Sequence, residues 1–592
     1  MFNESQTTNP TRFRDALPDH GDRRSSWTID LLLLVLIGGI VFAIFDVASH
    51  WAMPASAAEG KTVEIDLSPR ALPGYALMSL SRGVVAYFFS LAFALIYGTI
   101  AAKSLRAERV MIPVLDILQG IPVLGFLPGL VLGMVALFPN SNFGLEMACI
   151  LMIFTGQVWN MVYSYYGSVR SVPTELREVA SLHRFSAWKT FRTVELPWGT
   201  MPLIWNSMIS MAGGWFFLTI NESFRLEDKD FRLPGIGSYM SEAIDHGNWL
   251  AMGYGVTAMV IMIVSVDQLV WRPLSVWAQR FKVEDVAKEQ ESSWVIDALR
   301  RSPTIRRIKR FLRSRREVRA AQTGSKRQMP AQVLRHAGRV RRPLGRILVG
   351  VVLASVVGFA VWGGLQLFEL LSRVEPREWG DVLMALLFTF LRTTTAIVLT
   401  VIWAVPVGVI IGRSPTLSRR LQPVVQSIAS FPAPMVFPLL ALGIAALSIN
   451  FEVGCIALMM VGSQWYILFN VISGAQGLPQ DLVETARLYG VRGWALWRTL
   501  YLPAVYPALV TGMVTAAGGA WNASIVSEMV RLEGTTFEAT GLGSLITRAT
   551  ESGNFPMLCA GIMTMSIALI VLNRTLWKPL FVLADRRYSL NR

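Results

Sequence analysis

Long apolar runs separated by short polar and charged segments dominate this chain. A helix needs about 20 apolar residues to cross a bilayer, and runs near this length recur from end to end. They lie at about 30–48, 79–102, 111–137, 144–165, 201–221, 249–273, 345–371, 382–412, 421–447, 449–471, 504–527 and 556–580. The pattern predicts an all-α polytopic membrane protein with about twelve transmembrane helices.

The two halves of the chain repeat each other at a spacing of 306 residues, which is the distance from Glu178 to Glu484. A period this long indicates a duplicated domain rather than a solenoid. We therefore expect two tandem six-helix repeats. The expected organisation is a cytoplasmic N-terminal tail at 1–29, a first repeat at 30–274 with its core at 75–274, a linker at 275–343, and a second repeat at 344–592 with its core at 375–580.

Lys and Arg cluster in alternate loops, which predicts an orientation by the positive-inside rule. Both termini and the segments 173–197 and 479–503 are then expected on the cytoplasmic face. The linker is the most basic region. From Arg272 to Arg346 there are 21 Lys or Arg and 6 Asp or Glu, a balance that equals the net charge of +15 for the whole chain.

Within the linker, residues 304–319 combine apolar residues at helical spacing with basic residues elsewhere. This pattern predicts an amphipathic helix that lies on an anionic membrane surface. A contact surface for a partner protein and nucleic-acid binding are the alternatives. We favour membrane lipid and expect no nucleic-acid partner, because a cytoplasmic linker between membrane domains is basic without one.

Two kinds of chemistry are missing from the sequence. Cys149, Cys455 and Cys559 all lie in apolar runs, so neither a disulfide framework nor a metal site is expected. No stretch fits the phosphate-binding pattern Gly-x-x-x-x-Gly-Lys-[Ser/Thr], and the nearest, 98–104, lacks the second glycine. We therefore expect no catalytic residue and no ATP hydrolysis by this chain alone.

Each repeat carries one Glu-x-Ala loop, the name used below for 173–197 and 479–503. Each loop has a proline where a helix can begin and ends at a Leu-Pro. The arrangement resembles the "EAA" loop of ABC importer permeases, and its repetition implies a duplicated permease of the type I fold. In that family the loop is a coupling helix that fits a cleft in a separate ATPase.

The resemblance implies that this chain is a transport subunit rather than an enzyme. It implies two ABC ATPase subunits on the cytoplasmic face, which would bind ATP and Mg²⁺, and no cofactor on this chain itself. The residues that would couple the chain to these partners are Glu178, Ala180, Arg184, Glu484, Ala486 and Gly490.

The first loop departs from the family pattern, because Arg184 stands where the second loop has Gly490. A non-glycine residue in the same left-handed turn costs about 1–2 kcal/mol. Either the first loop stores this strain or its turn differs from that of the second loop, and the two ATPase contacts would then be unequal.

Ionisable and polar residues inside the apolar runs are candidates for the solute pathway. Arg82 and Arg392 each lie about 15 Å along a predicted helix, at a depth where ionisable groups pair with each other or meet a ligand. For each arginine, two roles stay open: a partner in a structural ion pair, or a residue that attracts an anionic solute. The fifth span of each repeat adds the remaining candidates, with more polar residues in the second repeat: Trp215, Glu222, Trp521, Asn522, Ser524 and Glu528.

Three short motifs narrow the resemblance. Ser79-Leu-Ser-Arg82, the run 520–528 and Gly-Leu-Gly-Ser at 541–544 are similar to permeases for nitrate, sulfonate, taurine and bicarbonate. That similarity implies a small anionic solute, a periplasmic or surface solute-binding protein, and a bacterial inner membrane. There are two alternatives. One is a fused permease for iron or another solute. The other is an ion-gradient-driven transporter, a class in which duplicated halves are also common.

Overall fold

A computed structural model describes most of both repeats. The described residues are 63–119, 122–139, 141–226, 229–281, 294–301, 361–532 and 534–588, with the single residues 307 and 358. The predictions for the tail, the run 30–48, the amphipathic helix at 304–319 and most of 345–371 lie outside these ranges. The predicted domain boundaries stay predictions.

The chain divides into two units, residues 1–42 with 288–341, and residues 43–287 with 342–592. The first unit has one described helix, Trp294–Arg301, labelled α9 in chain order. The second unit contains both repeats.

The described part of the first repeat contains eight helices and one hairpin. The helices are α1 Leu72–Lys103, α2 Leu105–Gln119, α3 Leu127–Leu137, α4 Phe143–Arg170, α5 Thr174–Leu182, α6 Ala187–Asn221, α7 Ile236–Asp245 and α8 Trp249–Phe281. A 3-10 turn at Val123–Phe126 precedes α3. Strands β1 Ser223–Leu226 and β2 Lys229–Arg232 pair antiparallel between α6 and α7.

The second repeat has the same order of elements. A helix α10 at 361–372 precedes it. Its helices are α11 Pro376–Arg413, α12 Pro415–Ala429, α13 Phe437–Ala446, α14 Phe451–Gln476, α15 Gln480–Leu488, α16 Gly493–Ser527, α17 Leu542–Glu551 and α18 Phe555–Ala584. A 3-10 turn at Ala433–Val436 precedes α13, and strands β3 Met529–Leu532 and β4 Thr535–Glu538 form the second hairpin.

The prediction of a polytopic helical membrane protein built from two repeats is confirmed. Within the described ranges, eight helices are long and apolar enough to cross a membrane, and a bent pair would make a ninth. These helices are α1, α4, α6, α8, α11, α14, α16 and α18. The two hairpins, which the hydrophobic pattern did not predict, are the only strands in this part of the chain.

The prediction of continuous spans at 111–137 and 421–447 is wrong. In the second repeat the chain bends by 77° between α12 and the helix that begins at Ala433. Pro432 stands at the break, and Pro122 holds the same place in the first repeat. Proline lacks an N–H and restricts the residue before it, so a helix tends to end there. Each long apolar run therefore folds as two helices joined by a tight turn.

Four wider turns of the π type interrupt the long helices at matching places in the two repeats. A proline follows each π-turn two residues later, where its ring would crowd the carbonyl four residues earlier in a regular helix. The wider turn relieves that conflict. The four turns are Phe191–Glu195, Asp267–Trp271, Trp497–Tyr501 and Asn573–Trp577.

The two repeats share one apolar core. Trp215 of α6 and Trp521 of α16 are equivalent residues, both 2% exposed, and both belong to this core. A Cβ added at Gly83 of α1 would lie 2.9 Å from the Trp215 ring, so α1 and α6 can approach closely only because this position is glycine. The halves are therefore held together by packing as well as by the covalent linker.

Candidate functional site

The two Glu-x-Ala loops adopt the same turn despite their different sequences. Arg184 has φ of 48° and Gly490 has φ of 75°, both in the left-handed region. In each loop an amide reaches back to the alanine of the motif: Phe185 N to Ala180 O and Val491 N to Ala486 O, both at 2.9 Å. The first loop thus stores the strain of a left-handed arginine, and the alternative of a different turn is wrong.

Both loops expose large apolar side chains. Leu182 is 79% exposed and Trp188 is 69% exposed, and their equivalents Leu488 and Trp494 are 87% and 73% exposed. The carboxylates of the motif, Glu178 and Glu484, are exposed as well, whereas Ala180 is buried and Ala486 is half-buried. Each loop therefore presents an apolar and acidic surface that the described part of the chain leaves exposed.

Different cations fasten the two loops to the bundle. In the first repeat, Lys103 at the end of α1 pairs at 2.9 Å with Glu195, the last residue of the π-turn in α6. In the second repeat, the equivalent residue Arg413 donates instead to Leu478 O at 2.9 Å and to Gln480 Oε1 at 2.6 Å, where α15 begins. The loops are alike in shape but are attached to α1 and α11 at different points.

At the opposite end of the bundle, which carries the hairpins, Arg82 lies between two carboxylates. Its Nε and Nη2 donate to the two oxygens of Glu146 at 2.6 and 2.7 Å, and its Nη1 donates to Glu222 at 2.6 Å and to Pro234 O at 2.9 Å. All three ionised side chains are at most 3% exposed. These three residues, the Arg82 cluster below, tie α1, α4 and α6 together.

The second repeat builds the equivalent Arg392 cluster from Arg392, Glu452 and Glu528. Arg392 donates to the Glu452 carboxylate, to Glu528 at 3.2 Å and to Thr540 O at 2.8 Å. Thr540 replaces Pro234, and its amide and hydroxyl both donate to Glu452 at 2.9 Å. Because proline has no amide N–H, the first cluster lacks this contact. Glu452 is also 40% exposed, so the second cluster is the more open one.

A hydroxyl and a helix N-terminus complete each cluster. Ser79 donates to Glu222 at 2.7 Å and accepts from the amide of Ile236 at 2.9 Å, while the amide of Gly237 donates to Glu222 at 2.7 Å. Thr389 makes the same two contacts in the second repeat. The first amides of α7 and α17 thus face a carboxylate, which the helix dipole favours.

The Gly-x-Gly motifs are required by this close approach. A Cβ at Gly235 would lie 2.4 Å from the Glu222 carboxyl group, and one at Gly237 would lie 2.6 Å from Thr219 O. At Gly543, the corresponding distance to Ser524 O is 2.2 Å. Only glycine lets α7 and α17 pack against the ends of α6 and α16.

A central cavity of about 420 Å³ lies between the two repeats, lined by α2, α4, α6, α12, α14, α16 and the residues that join α12 to α13. A second cavity of about 310 Å³ lies nearer the hairpins and is lined by α7, α17 and their neighbours. Asp245, Arg531 and Glu551 line the second cavity, and Arg531 pairs with Glu551.

The 3-10 turns separate the two cavities. Val123 faces the central cavity and the next residue, Leu124, faces the second one. In the second repeat, Ala433 faces the central cavity and Pro434 faces the second one. The Val123 amide donates to Asn522 Oδ1 of the opposite repeat at 3.0 Å. We call these two turns, with the parts of α6 and α16 beside them, the septum.

Most of the predicted pathway residues lie away from the central cavity. Asn522 is part of its wall. The charged candidates lie in the two clusters, Trp215 and Trp521 pack in the core, and Ser524 is buried with its hydroxyl bonded to Trp521 O at 2.8 Å. Arg82 and Arg392 thus have the ion-pair arrangement, and a contact of any of these buried residues with solute stays a prediction.

Sequence reasoning missed several members of the site. Ser79, Thr389, Glu146 and Glu452 complete the clusters, and the two glutamates stand at the repeat spacing of 306 residues. The sequence signal for the two hydroxyl residues was that position 79 and its equivalent, position 389, both carry a side-chain hydroxyl. The cavity wall could not be read from the pattern, because its residues come from six helices in both repeats.

Comparison with known proteins is consistent with this duplicated layout. The family described as "Binding-protein-dependent transport system inner membrane component" matches the chain twice, at residues 94–270 and 404–576. Each match covers α4 to α6 or their equivalents α14 to α16, with a Glu-x-Ala loop in its middle. Together the two matches cover more than half of the chain.

Individual relatives align with about a third of this chain or less. A nitrate import permease of Leptolyngbya laminosa is 26% identical over 31% of this chain and 62% of its own length. A bicarbonate transport system permease of Synechocystis is 29% identical, over 22% and 46%. A taurine transport system permease of Escherichia coli is 24% identical, over 34% and 71%. The chain thus spans less than two thirds of the length of the nitrate permease and of the bicarbonate permease.

Proposed function

Because this chain belongs to the family of binding-protein-dependent transport system inner membrane components, we propose that it supplies both membrane halves of an ATP-driven importer. The two repeats form one pathway, and each Glu-x-Ala loop docks on one of two separate ATPase subunits. The observation that carries the proposal is the pair of loops at one end of a bundle with a cavity between its halves. The two loops have the same turn geometry, and both expose large apolar side chains in the described structure.

Closure of the ATPases would move the two loops, and each loop is fastened to its own half. Lys103 and Arg413 join the loops to α1 and α11, and the buried clusters hold α1, α4 and α6, and their equivalents, together at the far end. Each half can therefore move as one body when its loop moves. Opening would occur between the halves, at the septum. The loops would face the cytoplasm and the hairpins the opposite side, where a solute-binding protein would deliver its ligand.

We expect the solute to be a small anion. The support is the similarity to permeases named for nitrate, bicarbonate and taurine, each of which is an anion or carries an anionic group. Two ATPase partners would supply the energy, so ATP and Mg²⁺ would bind outside this chain. An ion-gradient mechanism has no role for the two Glu-x-Ala loops.

Co-purification tests the coupling role. The full chain, isolated from its native membrane, should bring an ATPase with it, and the double variant Glu178→Arg and Glu484→Arg should reduce the amount by about tenfold or more. Glu64→Arg is the matched control, because this glutamate is exposed and precedes α1 at the hairpin end. ATPase recovery that is unchanged in the double variant would overturn the proposal.

A further inference from the structure

The wall of the central cavity contains no Asp, Glu, Lys, Arg or His among the described residues. A compact inorganic anion leaves its hydration shell at a large cost unless a cation or several donors replace the water. The volume of about 420 Å³ is also within the range of sites for organic molecules. Both observations make a bare inorganic ion a poor match for this wall.

Neutral hydrogen-bond donors take the place of charges. Trp159, Trp205 and Trp465 line the cavity, and their indole nitrogens make no hydrogen bond to another described residue. An indole N–H is a donor only. The side-chain amides of Asn160 and Gln426 line the same wall and are likewise not engaged by the described chain. The wall therefore contains several donors that are free to face oxygen atoms carrying negative charge.

The rest of the wall is aromatic. Trp159 and Trp465 occupy equivalent positions in α4 and α14, and Phe216, Phe217, Phe431 and Tyr466 add further rings. Aromatic rings favour flat apolar partners through offset stacking or edge contacts. Such a wall can contact the carbon skeleton of a solute as well as its oxyanion.

We propose that the central cavity accepts an organic oxyanion with a flat, aromatic-like body, held by tryptophan and amide donors without a cation. This inference rests on the proposed function and narrows its solute class. A site without a cation also fits a transport step, because neutral donors hold the solute weakly enough for release.

Ligand-detected saturation-transfer NMR on the full chain in lipid nanodiscs tests the proposal, with benzenesulfonate as the probe. We expect transfer to the benzenesulfonate ring protons. In Trp465→Ala the affinity should fall by about tenfold, the size expected when one aromatic contact and one donor are lost. A tenfold excess of nitrate should leave the signal unchanged.

The matched control is Trp494→Ala, which removes an exposed tryptophan of the second Glu-x-Ala loop. It should leave benzenesulfonate binding intact but lower ATPase recovery, so the two proposals can fail separately. Full displacement of the probe by equimolar nitrate, or the same affinity in Trp465→Ala, would overturn the solute class while leaving the importer proposal standing. ATPase recovery that stays unchanged in Trp494→Ala would do the reverse, because it would contradict docking by the second loop while leaving benzenesulfonate binding as evidence for the solute class.

Discussion

At the scale of single residues, the Arg82 cluster is the most tightly constrained part of the molecule. One guanidinium faces two carboxylates. The remaining donors are the hydroxyl of Ser79 and the amide of Gly237, which lies at the N-terminus of α7. A buried charge network is stable only when every member is satisfied. Removing the arginine would therefore leave two buried carboxylates without their cation.

We expect Arg82→Met to lower the free energy of unfolding by about 3–5 kcal/mol, the usual cost of breaking a buried ion pair. Methionine keeps much of the volume, so the loss reports the charge rather than a cavity. Denaturation of the detergent-solubilised chain measures it. Arg392→Met should cost less, because Glu452 is 40% exposed and can be hydrated.

The control for this substitution is Arg548→Met. Arg548 pairs with Glu538 at the surface, with the arginine side chain 66% exposed, and an exposed pair contributes about 0–1 kcal/mol. Equal losses in Arg82→Met and Arg548→Met would contradict the interpretation of the cluster as a buried structural node.

At the scale of elements, the ends of α5 and α15 differ in strain rather than in shape. We expect Arg184→Gly to stabilise its turn by about 1–2 kcal/mol and Gly490→Arg to destabilise its turn by a similar amount. Hydrogen exchange of the α5 and α15 amides, read by mass spectrometry, should slow in the first variant and quicken in the second. The same direction of change in both variants would contradict a strained Arg184.

The long helices were the most predictable elements. Apolar length and the repeat alignment located the eight long helices, and the proline and glycine positions located the turn of the second Glu-x-Ala loop. The breaks at Pro122 and Pro432 were missed, because an apolar run looks the same whether it is one helix or two. The clusters were only half predicted, since Arg82 signals a partner without naming Glu146, which lies 64 residues away.

At the scale of the whole molecule, the septum closes one cavity from the other through contacts that cross between the repeats. Asn522→Ala removes the hydrogen bond to the Val123 amide, at a net cost of about 1 kcal/mol. The balance should shift about fivefold toward an open septum. The measurement is the labelling rate of Thr515→Cys in the central cavity by a membrane-impermeant thiol reagent added on the hairpin side.

Asn470→Ala is the matched control for Asn522→Ala. Its side-chain amide donates to Tyr466 O within the same helix, at 2.8 Å, so no contact across the septum is lost. The labelling rate should then be unchanged. Equal acceleration in both variants, or none in Asn522→Ala, would contradict a closing role for the bond to Val123.

The bond between Asn522 and Val123 has no mirror image, because Phe216 occupies the equivalent position and packs on apolar neighbours that include Ala433. In a pair of identical subunits, every substitution appears on both sides of the pathway. Here α6 and α16 are encoded separately, so one side can gain a polar contact while the other keeps a ring. Covalent fusion thereby lets mutation change each wall of the pathway independently. An asymmetric pathway can then match an asymmetric solute.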